Sequence, residues 1–116
     1  MKNARHILTQ ILAVIGSQRT EREVDDFCSW VEVQVMTELF ASLPEDKQEQ
    51  AIHQFMTLPA EKKESVFYPY YSGEYMRERV QKATKQAILQ QIVEPQWHKL
   101  TAAQHESILA LLDTLT

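Results

Sequence analysis

All four tyrosines of the chain fall at positions 68, 70, 71 and 75, beside Phe67 and with Pro69 between the first two. Tyrosine joins a large apolar ring to a polar tip and loses little side-chain entropy when held, so a cluster of this kind does the chemistry of contact rather than of bond breaking. Pro69 fixes its own φ and biases Tyr68 away from the helical region, which predicts that Tyr68 and Tyr70 diverge from any helix axis and that at least one ring faces solvent or a partner. Phe67 and Tyr71 are expected to plug the core at this turn. That leaves Tyr68, Tyr70 and Tyr75 as the candidate partner-binding rings.

Downstream the local charge reverses. Residues 77–99 hold Arg77, Arg79, Lys82, Lys85 and Lys99 against Glu78 and Glu94. Arg79, Lys82 and Gln86 share one helical face by their spacing, so Arg79 and Lys82 join the candidate contact residues for an acidic partner. In a nucleic-acid version of this face, Tyr75 and Trp97 would add base stacking. Against that version, Glu78 and Lys82 stand at i, i+4 and read as a pair on a solvated face. No helix-turn-helix with a basic recognition helix is visible either.

The remaining reactive side chains form no catalytic pattern. Histidines 6, 53, 98 and 105 lack the His-x-x-x-His or His-Glu-x-x-His spacing that would set two imidazoles over one metal from a single helix. Cys28 lies on an apolar stripe and is expected to be a buried, inert thiol. Ser17, Ser42, Ser65 and Ser72 have no Gly-x-Ser-x-Gly elbow around them. Asp25 and Asp26 are adjacent, point to different azimuths of a helix, and cannot face each other as acid and base. Gly16 and Gly73 are the only glycines, and neither sits in a phosphate-cradling loop. The expectation is a protein with no catalytic activity, no cofactor and no metal.

Composition narrows the class further. Lys and Arg number 12 against 16 Asp and Glu, a net charge of -4, so the summed field of the molecule disfavours nucleic acid as a partner. A single cysteine excludes an intramolecular disulfide and a four-cysteine zinc site within one chain, and a reducing cytoplasm is the expected compartment. The apolar run Ile11 to Ile15, which no other run exceeds, is far short of the roughly 18 residues of a membrane-spanning helix, so no span is expected. Lys2 and Arg5 ahead of Ile7–Ile15 partly imitate a secretory signal, but Thr9 and Gln10 interrupt it and no Ala-x-Ala site follows.

The elements that must position these residues are helices. Two Gly and four Pro in 116 residues are too few turn and bulge formers for a many-stranded β fold, and Gln, Glu, Ala, Leu and Lys dominate. Ile7, Leu8, Ile11, Leu12 and Ile15 mark a first amphipathic helix, with Asn3 as its N-cap and Gly16 as its stop. The Thr20-x-x-Glu23 capping box opens a second helix over about residues 21–42. Its stripe is Val24, Phe27, Cys28, Val31, Val35 and Leu39. A second stripe of Trp30, Val33, Met36 and Phe40 predicts burial on both flanks and a central position.

Residues 41–49 then align with 56–64 at an interval of fifteen, Ala-Ser-Leu-Pro-Glu-Asp-Lys-Gln-Glu against Met-Thr-Leu-Pro-Ala-Glu-Lys-Lys-Glu. Each unit supplies a hydroxyl, an apolar anchor, a Pro tolerated in the first turn and acidic groups near the positive end of a helix dipole. A looser copy starts at Leu100 with Thr101-x-x-Gln104. The repetition reads either as shared ancestry or as shared capping physics, and capping physics is the expectation, since repeat folds use longer units in more copies. The two Leu-Pro units resemble the short helical units of superhelical repeat domains in the cytosolic parts of magnesium transporters and the flagellar switch. The resemblance spans about thirty residues of generic motif and transfers no functional residue.

Pro69 is expected to close a short fourth helix, and Ser72-Gly73 to turn into a fifth near Glu74. Met76, Val80, Ala83, Ala87 and Ile88 form its buried stripe, widening to Leu89, Ile92 and Val93. Pro95 is expected to break the chain, leaving Trp97 and Leu100 in a connection before a last helix marked by Ile108, Leu111, Leu112 and Leu115. The fold expected is all-α: one domain over 1–116, a compact bundle of five or six amphipathic helices with short connections. The function expected is protein–protein contact, as an adaptor, subunit or self-associating component. The alternative is a nucleic-acid-associated protein using the basic face of 77–99.

Overall fold

The computed structural model describes residues 2–115, with side chains from Ala4 onward. It is all-α: α1 (Lys2–Ile15), α2 (Glu21–Ala41), α3 (Glu45–Thr57), a 3-10 helix η1 (Ala60–Phe67), α4 (Gly73–Ile88), a π-helical turn (Leu89–Val93), a second 3-10 segment (Glu94–Lys99) and α5 (Ala102–Asp113). None of these helices is long and apolar enough to cross a membrane.

The helices form the expected compact arrangement, somewhat extended along one axis. The Cα radius of gyration is 16.5 Å and the extents are 51 × 23 × 21 Å, against a radius of about 13 Å typical of a domain of this length. The elongation arises because α2 and α4 pack side by side and carry a separate core at each end. At one end α1, α5 and the π-helical turn meet the first turns of α2, burying Leu8, Ile11, Val24, Ile88, Ile108 and Leu112. At the other end α3 and η1 meet the second half of α2 and the first half of α4. Val35, Leu39, Phe67 and Met76 are buried there, with Leu43, Ala51 and Val66 in an adjoining cluster.

The apolar face of α1 is covered within the chain, and the Gln104 side chain of α5 donates to the Val14 carbonyl (2.9 Å), tying the two terminal helices together. Gly16 ends α1 with φ +83°, a backbone conformation that side chains with a Cβ resist, and its N–H and that of Ser17 both bond to the Leu12 carbonyl. The helix already contains Asn3, so the N-cap expected there is corrected; the Asn3 side chain lies outside the described residues. Capping boxes form as read at Thr20/Glu23 and Thr101/Gln104.

The Leu-Pro units start helices by a different device from the one expected. Pro44 and Pro59 are themselves the N-caps, with no side-chain cap bond. The hydroxyls of Ser42 and Thr57 turn back and donate to carbonyls of the preceding helix, Glu38 and Gln54. The fifteen-residue correspondence also runs deeper than the entry motif. Gln48 donates to the carbonyls of Leu43 and Ala41, and its counterpart Lys63 donates to that of Phe55, so both satisfy chain carbonyls at a helix end. Phe40 and Phe55 meet edge to face at 5.4 Å, and the counterparts Ala51 and Val66 are both buried.

Three further expectations are corrected. The fourth helix is 3-10, not α. With three residues per turn, Ala60, Lys63 and Val66 stack in one row, and a 2.0 Å rise stretches the short run between Pro59 and Pro69. Pro95 changes the helix type instead of breaking it: Glu94 N–H reaches Leu89 in a widened turn, and the Gln96 amide donates to the Ile92 carbonyl (2.7 Å). On α2, Val31, Val35 and Leu39 are buried, but Phe27 and Cys28 are only half-buried. Trp30 and Val33 are 44% and 54% exposed, so the second stripe is covered only at Met36 and Phe40.

Candidate functional site

The tyrosine turn is held from beneath. Phe67 is 1% exposed, and its carbonyl accepts from the N–H groups of both Tyr70 (2.9 Å) and Tyr71 (2.8 Å). These bonds override the steric bias of a residue before proline. Tyr68 adopts helical angles, φ -57° and ψ -35°, which corrects the extended backbone expected for it. Tyr71 is half-buried between Phe67 and Tyr75, stacks on the latter at 5.5 Å, and donates its hydroxyl to the Leu39 carbonyl at 2.9 Å. Ser72 then caps α4 by accepting from Tyr75 N–H. The division of roles follows the sequence reading: Phe67 and Tyr71 fill the fold, while Tyr68, Tyr70 and Tyr75 are 57%, 40% and 45% exposed.

The five predicted contact residues do not form one surface. Tyr75, Arg79 and Lys82 recur at four and three residues along α4 and share its azimuth, as predicted. Arg79 is not free on that face, because its guanidinium pairs with Glu38 of α2 and latches the two central helices together. The Glu78–Lys82 pair expected beside it does not form; Lys82 is exposed. Lys85 is half-buried, and Trp97 stacks on His105 at 3.7 Å, their planes 4° apart, so Trp97 offers its neighbour a face the nucleic-acid version would have required.

Tyr68 belongs to the opposite side of α4. There it borders a groove of about 460 Å³ between α2 and α4, closed at one end by Phe55 and η1. Val35, Met36, Leu39, Phe67, Met76 and Val80 form its apolar lining, and Glu32, Lys63, Glu64 and Arg77 supply charge. Lys63 is committed, donating to the Phe55 carbonyl and lying 4.7 Å from the centre of the Phe55 ring. The sequence reading missed this groove because Met36 and Val80 carry core periodicity. Both are half-buried along the groove that η1 closes, a tertiary outcome for which spacing gave no signal.

Among the described residues no three His, Cys, Asp or Glu side chains gather as metal ligands. Cys28 is held above the ordinary thiol value of 9.0, first by burial and then by the carboxylates of Glu32 and Asp25. A thiol so placed stays protonated and is a poor nucleophile at neutral pH.

The chain matches no protein-family model, no curated protein and no solved structure. The likeness of the Leu-Pro units to superhelical repeats is accordingly a likeness of those thirty residues alone.

Proposed function

We propose that this chain is a cytoplasmic protein–protein interaction module, an adaptor, subunit or self-associating component, that acts without catalysis. The observation that carries the reading is the tyrosine turn. Three rings stand in solvent on a backbone pinned by the buried Phe67 and by the Tyr71 bond to Leu39. A backbone fixed before contact leaves less conformational freedom to lose on binding, a condition that favours interface anchors. Lys82 beside Tyr75 adds an exposed cation to the same face, while Arg79 contributes mainly to the fold.

The test is Tyr68→Ala with Tyr70→Ala, measured against the partner captured from the native cell. Truncating such anchors costs ~2 kcal/mol or more, so binding should weaken at least ~30-fold while helicity holds. Unfolding of the double variant would place the rings in the core, and unchanged affinity would move the contact elsewhere. A nucleic-acid complex through Arg77, Lys82 and Lys85 is the competing reading. It would weaken linearly with salt on logarithmic axes, where a tyrosine-centred contact would barely change.

A further inference from the structure

We draw no further inference here: the strongest candidate, the apolar groove between α2 and α4 beside Tyr68, is lined by Glu32 and Glu64 together with Lys63 and Arg77, so that its charge selects no occupant, and nothing in the structure shows what covers it.

Discussion

The two ends of the rod solve the same packing problem with different side chains. Where α1 and α5 meet, the core is aliphatic: Leu8, Ile11, Ile88, Ile108 and Leu112 have almost no exposure, and the terminal helices close over them. Where α3 and η1 meet the central pair, the core is aromatic, with Phe40, Phe55, Phe67 and Tyr71 in contact at centroid distances from 4.7 to 6.4 Å. Branched aliphatic chains at three- and four-residue intervals mesh helix against helix and leave the centre of the α1–α5 end fully covered. Four rings held by edge and tilt contacts leave a recess, and Met36 and Val80 remain half-exposed along it. The closed end buries its aliphatic centre; the open end carries the exposed tyrosines and the groove.

The largest effect expected is at Val35, where the open end begins. Val35 is 2% exposed, and Val33, two residues earlier on the same helix, is 54% exposed. Val35→Asp buries a charge without a partner and should cost several kcal/mol, enough to threaten a fold with a total stability of ~5 to 15 kcal/mol. Val33→Asp should shift the urea midpoint little. Equal midpoints for the two variants would mean that the faces of α2 are not distinguished as described.

Next in size is a direct comparison of the two cores. Ile108 is 0% exposed at the closed end, so Ile108→Ala should cost about 2–5 kcal/mol. Val80, half-exposed beside the groove, should lose clearly less on truncation to Ala, since part of its surface already meets water. A greater loss at Val80 than at Ile108 would reverse the assignment of closed and open ends.

Much of this contrast was legible in the sequence, and the missing part has physical causes. The spacing of Ile7, Leu8, Ile11 and Leu12 and the Thr20 capping box are local signals, and the helices they predict form as read. The division of the aromatic cluster into filling and exposed rings was legible too, because Pro69 and the adjacency of four large side chains leave few ways to bury them all. Trp30 and Val33 misled because apolar type does not by itself mean burial, and none of the described elements covers that flank. The groove is bordered by η1, whose 3-10 form and whose Lys63 contact with Phe55 are tertiary outcomes that spacing does not signal. Arg79 belonged to a basic stripe by spacing, yet its partner Glu38 lies 41 positions away in the chain, beyond any local pattern.

A smaller effect isolates the bond that pins the tyrosine turn. Tyr71→Phe keeps the ring between Phe67 and Tyr75 and removes only the hydroxyl that donates to Leu39. The stability cost should be about 0.5–1.5 kcal/mol. If preorganisation of the turn matters for contact, partner affinity should fall as well, although Tyr71 itself is not among the exposed rings. Loss of stability with unchanged affinity would confine the bond to the fold.

The smallest expected effect lies at the edge of the closed end, where Cys28 packs half-buried against the aliphatic core. Burial, aided by Glu32 and Asp25, raises its folded value above 9.0, and the unfolded thiol ionises near the ordinary value. Below that ordinary value both states hold the proton and Cys28 adds no pH dependence. As pH rises past it the unfolded state gives up its proton first, so the thiol contribution to stability is lost progressively toward the raised folded value. Cys28→Ala should therefore show a shallower decline in stability above pH 9.0 than the unaltered chain, a difference that cancels the titration of lysines and tyrosines common to both. Alkylation of the folded thiol by iodoacetamide should likewise run slower than in urea at the same mildly alkaline pH. Equal rates in the two states would show that water reaches the rim of α1 and α2 freely, and the closed end would then be closed only at its centre.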